Sequence, residues 1–251
     1  MNRLIKTLII FMLCIFALLS CGLEEHYYLP QIPENVIRTN NNNQAEIRIP
    51  SNLLNGVDHY ANGYVIFYKI YTNDFISDSP IDLINNISNL STDYRSLFSF
   101  TDPSNASSIP SLSTFSNRGF YELELENVNI RDTVLTKSGG FFRLFFPTVP
   151  GRIPYLDQDE TENENEYNLS RSNGGGTFTP RPDRSFIAST ELRDSANAIS
   201  TINADVSGQS GIPDNAYALM YIVAVGTNLN NFNRIYGKPT YISVFKLTQS
   251  N

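Results

Sequence analysis

The chain has 251 residues, with 18 Lys and Arg against 25 Asp and Glu, no Trp and only two Cys. A chain of this size can bury enough surface to be stable without disulfides, and its net charge of −7 lacks the basic footprint that nucleic-acid binding requires. Its 14 Tyr and 16 Phe favour half-buried pleated surfaces, and hence β structure.

Arg3 and Lys6 precede an apolar run, Leu8–Leu19, that leads into Ser20 and Cys21. The layout is that of a secretory signal peptide: a charged start, an apolar centre and a small residue before the cut. A bilayer-spanning helix needs roughly 20 predominantly apolar residues, and this run supplies about a dozen. The tetrapeptide Leu18-Leu19-Ser20-Cys21 resembles the lipobox of bacterial lipoproteins, in which cleavage leaves a lipidated cysteine as the new N-terminus. The resemblance implies a leader over residues 1–20 and a lipid anchor on Cys21. Several acyl chains together attach a protein stably, where one is marginal. Cys14 would leave with the leader, so the mature chain would hold neither a disulfide nor a free thiol. Without Arg3 and Lys6 the balance is 16 basic to 25 acidic side chains, near −9. The lipid, not a basic patch, would therefore have to hold the protein at an anionic membrane.

Residues 21–44, with Pro30, Pro33 and the run Asn40–Asn43, read as an extended tether with an edge strand at Tyr27–Leu29. Glu46–Pro50 alternates polar and apolar residues, which predicts a short strand. Tyr64–Tyr71 is apolar on both faces, which predicts a strand near the centre of a sheet. Ser79 as N-cap, Pro80 at the first helical position and Ile81, Ile84 and Ile87 at helical spacing predict one helix. Ser99–Asn117 reads as loop. Phe120–Glu126 alternates, with Leu123 and Leu125 on one side and Glu122, Glu124 and Glu126 towards solvent.

Thr133–Thr136 and Phe141–Phe146 are further strands around a turn at Gly139-Gly140, and Pro147, Pro150 and Pro154 stop the sheet. Asp157–Gly176 is acidic, Asn-rich and nearly free of apolar residues, which predicts a mobile loop. Ser185–Thr190 reads as a strand and Asp194–Gly211 as a long polar loop. The strongest strand signals are Tyr217–Val225 and Thr240–Leu247, joined by the polar loop Gly226–Lys238.

Asn62-Gly63-Tyr64-Val65-Ile66-Phe67-Tyr68 is similar to the third strand of a fibronectin type III module. Ile212-Pro213, followed by Tyr217-x-Leu219-x-Tyr221-x-Val223, resembles the turn and sixth strand of that fold. Lys238-Pro239-Thr240, leading into Tyr241-Ile242-Ser243-Val244, resembles its last strand. The similarity covers roughly a quarter of the chain and implies a mainly β, antiparallel Greek-key sandwich. Glu46–Pro50 would be its second strand, and the tether would supply the first. The domain would run over residues 45–251, with a large insertion at about 72–210 that contains the helix. The core Trp of the family's second strand has no counterpart here. The resemblance implies a binding or spacing module more than an enzyme.

No residue pattern calls for a cofactor, a metal or a catalytic group. Two separated histidines, His26 and His59, cannot supply the three or four ligands of a zinc site. No Gly-x-Ser-x-Gly elbow frames a serine. Glu122, Glu124 and Glu126 read as the solvated face of a strand, not as paired catalytic carboxylates. Asp157-Gln158-Asp159-Glu160-Thr161 opens like a calcium loop, but Glu162 and Asn168 stand where such a loop needs Gly and Glu.

Aromatic residues are the remaining binding signal. Tyr155 and Tyr167 fall in expected long loops, and Phe232, Arg234 and Tyr236 lie between the last two strands. Asn228, Asn230, Asn231 and Asn233 accompany the second group. Exposed aromatics such as Tyr suit recognition because they offer amphipathic area at low entropic cost. The set is a candidate surface for a protein or carbohydrate ligand. The alternative is that these rings fold back over the open end of the sandwich.

These readings describe an exported, membrane-anchored lipoprotein with a non-enzymatic role in binding, adhesion or envelope organisation. Two alternatives stay open. An envelope glycan hydrolase would need a cleft with paired carboxylates, and a subunit of an envelope assembly complex would need an apolar patch above the few hundred Å² common on monomers. Gly22 after Cys21 offers no acidic retention signal, which favours the outer membrane, either face.

Overall fold

The structure is a computed structural model that describes residues 27–40, 43–72, 115–116, 119–125, 140–147, 153–158, 166–170, 206–207 and 216–247. Among these residues the chain is mainly β, with strands β1 (Ile37–Asn40), β2 (Gln44–Ile49), β3 (Ala61–Thr72), β4 (Tyr121–Glu122), β5 (Glu124–Leu125) and β6 (Gly140–Phe145). The series continues with β7 (Tyr155–Asp157), β8 (Glu166–Ser170), β9 (Val206–Ser207), β10 (Ala216–Thr227), β11 (Arg234–Tyr236) and β12 (Thr240–Leu247).

The strands form two sheets. The first has the order β1-β2-β6-β7-β8-β5, antiparallel throughout. The second is built on β3 and β10, which pair antiparallel from Ala61↔Gly226 to Thr72↔Ala216. β12 and then β11 follow one another along the free edge of β10. Along the free edge of β3, β4 pairs antiparallel and β9 parallel.

Alternation decides what each face buries. Tyr64, Ile66, Tyr68 and Ile70 of β3 and Ala218, Met220, Ile222 and Ala224 of β10 join Ile47, Phe142, Leu144 and Leu156 of the first sheet in one core. Phe146 stacks on Phe245 at 4.4 Å between the sheets. The residues between them, Val65 and Phe67 with Leu219, Tyr221, Val223 and Val225, are equally buried on the outer face, against Phe115, Phe120 and Tyr236. A strand covered on both sides reads as a continuous apolar run, which is why Tyr64–Tyr71 shows no alternation. Each fully buried side chain of this kind contributes about 1.5–3 kcal/mol.

Two local devices tie the sheets together. Between β4 and β5 the chain changes sheets, with Leu123 buried at the corner and its N–H donating to the Ile66 carbonyl at 2.7 Å. The single strand expected over Phe120–Glu126 is therefore divided, as at the corners where strands leave one sheet for another. The second device is Asn43, in the left-handed region at φ 58°. Its Nδ2 donates to the Lys246 and Phe146 carbonyls at 2.7 and 3.0 Å, and its Oδ1 accepts from the Lys246 N–H at 2.9 Å. The side-chain amide thus stands in for a peptide group beside β12.

The folded unit extends further towards the N-terminus than an extended tether over 21–44 would allow. Tyr27, Leu29 and Ile32 are buried in the shared core. Thr240 Oγ1 donates to the Ile32 carbonyl at 2.6 Å, Gln31 Nε2 to Pro239 O at 3.3 Å, and the Tyr60 hydroxyl to Tyr28 O at 2.6 Å. The first strand is β1, not Tyr27–Leu29. The acidic stretch Asp157–Gly176 is likewise not loop throughout, because Asp157 ends β7 and Glu166–Ser170 forms β8. The helix expected from Ser79 and the strands at Thr133–Thr136 and Ser185–Thr190 lie outside the described residues.

Three substitutions test these contacts. Asn43→Ala removes three hydrogen bonds and replaces a residue that tolerates positive φ by one that does not, which should cost about 2–3 kcal/mol. Asn43→Gly relieves only the backbone part, so in denaturant titration it should recover about 1 kcal/mol of that loss. The Tyr64 hydroxyl is buried with no hydrogen-bond partner among the described residues, and burial pushes it up to about 12 from 10.0. The unfolded chain then releases this proton at lower pH than the folded one, so its contribution to stability is intact below pH 10 and lost as pH rises to about 12. Tyr64→Phe should leave stability at neutral pH unchanged or higher by about 1 kcal/mol. It should also flatten the alkaline decline relative to the parent.

Candidate functional site

β10 and β11 form a hairpin in the register Val225↔Tyr236, Gly226↔Ile235 and Thr227↔Arg234. Its direction is set at the base. A bulge displaces the β3 pairing between Val225 and Gly226, opposite Asn62, with Gly63 at φ 139°, and such bulges re-aim a strand end. Gly226 packs so closely on Tyr60 that a β-carbon there would lie 2.6 Å from the Tyr60 carbonyl oxygen. Thr227 N–H donates to that same oxygen at 2.8 Å, and Asn62 Nδ2 to Thr227 Oγ1 at 2.8 Å.

The tip, residues 228–233, holds itself. Asn228 N–H donates to Asn233 O at 2.8 Å and Phe232 N–H to Asn228 O at 2.7 Å. Asn228 Oδ1 accepts from Asn230 N–H and Asn231 Oδ1 from Asn233 N–H, both at 2.9 Å. These are Asx turns, in which the side chain closes the backbone two residues on. Two of the four loop asparagines that read as ligand-binding groups are therefore used to fix the loop. Beside the exposed Asn230, Asn231 and Asn233, the fixed loop displays two large apolar side chains: Phe232 is 80% exposed and Leu229 44%. Phe232 also sits at φ 57°, a conformation that costs a residue with a β-carbon about 1–2 kcal/mol. A bulky exposed ring in a strained conformation contributes little to folding, and such strain concentrates where chains do their work.

The other sequence-selected residues do not gather here. Tyr236 is 1% exposed, inside the outer-face cluster, with ring centroids 5.5 Å from Phe115 and 5.6 Å from Phe67. Its hydroxyl donates to Glu122 Oε1 at 3.1 Å. Arg234 forms an ion pair with the same carboxylate and lies over the Tyr236 ring at 5.0 Å. Both residues thus hold the hairpin to β4. Glu122, expected in solvent, is the shared acceptor. Its partners are more than a hundred positions away in the chain, so no local pattern could announce them.

Tyr155 and Tyr167, expected in loops, lie on the adjacent strands β7 and β8. Tyr155 packs beside Phe145 at 5.1 Å, and Tyr167 is partly buried against the shared core. Tyr155 is in register with Phe145, which pairs Gln44 next to Asn43 and so sits by Lys246 and the start of β10. That is the end opposite to Phe232. Asp157, first in the calcium-like stretch, is 4% exposed and lies 3.7 Å from Arg143 Nη1, while Arg143 Nε is 3.5 Å from Glu46. Among the described residues no three His, Cys, Asp or Glu side chains cluster as metal ligands. Cys21 and His26 lie outside the described residues, and His59 is exposed against Tyr60, ring to ring at 4.7 Å.

Phe232→Asn should leave stability unchanged or raise it by about 0.5–1 kcal/mol, because Asn tolerates the left-handed region and no burial is lost. Thermal or urea unfolding checks this, and a loss above about 1 kcal/mol would mean that the ring packs after all. No protein-family model, no curated protein and no solved structure matches the chain, so its residues and geometry alone carry the functional reading.

Proposed function

We propose that this chain is an exported lipoprotein, held at a membrane by acyl chains on Cys21, that presents a fibronectin III-like sandwich as a non-enzymatic binding module. The strand neighbours support the fold part of this reading. β10 lies between β3 and β12, as the sixth strand of the family lies between the third and the last, and β1-β2-β6 run side by side in the other sheet. Sequences of this family pattern appear at β3, β10 and β12.

The observation that carries the binding part is the hairpin tip, a self-bonded loop that holds Phe232 in water at a cost in backbone energy. A conformation that weakens the fold is retained when it serves a contact made outside the molecule. The anchor part rests on the basic start, the apolar run and Leu18-Leu19-Ser20-Cys21. The folded unit reaches back to Tyr27, only six positions after Cys21. The domain would therefore stand close to the membrane. Gly22 directly after Cys21, in place of an acidic residue, favours the outer membrane.

The test is fractionation of cells expressing the full chain and its Cys21→Ala variant, with metabolic labelling by a fatty acid. The parent should take up label and stay in the membrane pellet after an alkaline wash. The variant should lose the label and move to the soluble fraction. Membrane retention of an unlabelled Cys21→Ala chain would contradict the lipid anchor.

A further inference from the structure

The three apolar side chains that project furthest at one end of the second sheet share that end with the chain's route to Cys21. Of the large apolar residues exposed in the described part, Phe232 and Leu229 sit on the hairpin tip, and Tyr28, 49% exposed, sits beside Tyr60 at its base. The fourth, Ile153, lies just before β7 at the opposite end, near Phe145 and Asn43. Among the described residues, the exposed large apolar side chains are thus concentrated where β10 ends.

The N-terminal segment runs towards the same end. Ile32 is bonded to Thr240, which is in register with Ile222 of β10. Leu29 packs against Gly237, whose N–H donates to the Ala224 carbonyl. Tyr28 is bonded to Tyr60, and Tyr60 to Thr227. Followed backwards from Ile32, the chain climbs alongside β10 and reaches its last residue at Tyr27 and Tyr28. Tyr27 lies ring to ring with Tyr60 at 5.1 Å. From Tyr27 to Cys21 there are six peptide steps, which span at most about 20 Å when fully extended. The tip extends about 10 Å beyond Thr227, three residues at the strand rise. The two lengths are comparable, so a bilayer holding Cys21 lies within reach of the tip unless the tether is drawn out to its limit.

Charge agrees with that placement. Residues 226–238 contain Lys238 and Arg234, the latter paired with Glu122, and no carboxylate of their own; the neighbouring turn 51–60 contains only Asp58, and Glu24 and Glu25 lie on the segment to Cys21. The chain as a whole is acidic, so this stretch meets anionic headgroups with less negative charge than the chain average. Phe and Leu are the side chains that enter the boundary between headgroups and acyl chains, with Tyr at headgroup level.

We infer that the tip of the β10–β11 hairpin, through Leu229 and Phe232, is a lipid-surface wedge that seats this end of the domain on the bilayer carrying its own anchor. The inference rests on the lipid anchor at Cys21. The anchor supplies attachment and the wedge supplies orientation: Phe232 enters the lipid boundary, Tyr28 lies at the headgroups, and the end carrying Asn43, Phe145 and Ile153 points away. The first sheet's outer face, with Arg48, Phe141, Arg143 and Tyr155, would then stand upright from the membrane, accessible from the side.

The test uses the full lipidated chain in mixed phosphatidylethanolamine–phosphatidylglycerol vesicles, with Phe232→Cys or Ile153→Cys carrying an environment-sensitive fluorophore. Acylated Cys21 has no free thiol, so the label goes to the introduced site alone. The expected result is co-flotation of both variants with the vesicles. A blue shift and at least about twofold stronger quenching by nitroxide-bearing lipid should appear at position 232 only. Co-flotation with position 232 as water-exposed as position 153 would overturn the wedge while leaving the anchor standing. The tip would then be free for a protein partner. Failure of the parent chain to float would overturn the anchor and the wedge together.

Discussion

The ladder between β3 and β10 runs through nearly all twelve residues of each strand, interrupted by one bulge, and both of its faces are dry. A hydrogen bond in such a place is worth more than its net value in water, because a broken pair has no solvent to replace it. The pairing also defines every other edge of the sheet. β12 and β11 complete β10, and β4 and β9 complete β3. The first sheet then packs on the inner face, and Phe115, Phe120 and Tyr236 on the outer. Shifting the register by one residue would exchange the two cores, putting Tyr64 and Ile66 where Val65 and Phe67 belong.

Geometry at the two ends of this ladder differs in kind. At the start of β10, Asn43 closes the gap between the sheets with three side-chain hydrogen bonds. At the end of β10, Gly63 and Gly226 permit a bulge and a close approach at the base of the hairpin. Glu122, Arg234 and Tyr236 hold the hairpin's second strand, and asparagine turns hold its tip. A rigid stem with a strained, exposed aromatic at its head is what a presenting loop requires, since ordering costs are met on folding and not on contact.

Much of the β framework was legible because it depends on local pattern. The doubly apolar run Tyr64–Tyr71 announced a central strand, and Tyr217–Val225, Thr240–Leu247 and Phe141–Phe146 fell within a residue or two of β10, β12 and β6. What failed was either short or long-range. β7 and β8 hold few apolar residues, and proline and acidic neighbours obscured them. Glu122 looked solvated because alternation assumes a strand that stays in one sheet, whereas Leu123 turns the chain into the other. The packing of Tyr27, Leu29 and Ile32 was hidden by the neighbouring prolines, which suit an extended chain held against the fold as well as a free one. Of the candidate residues, Phe232 lies in an exposed tip, whereas Arg234 and Tyr236 serve the stem and Tyr155 and Tyr167 serve the other sheet. Local sequence could place an aromatic in a loop but could not say which way it faces.

With two dry faces and the longest ladder among the described strands, the β3–β10 pair should be the last structure to open. Native-state amide hydrogen exchange measures this directly. Amides of Val65, Phe67, Lys69, Leu219, Tyr221 and Val223, which face one another across the ladder, should exchange only through global unfolding, with a free energy that tracks denaturant-measured stability, while those of residues 228–233 open locally at much lower cost. Ladder amides that exchange as readily as the hairpin tip, or with no dependence on global stability, would contradict it.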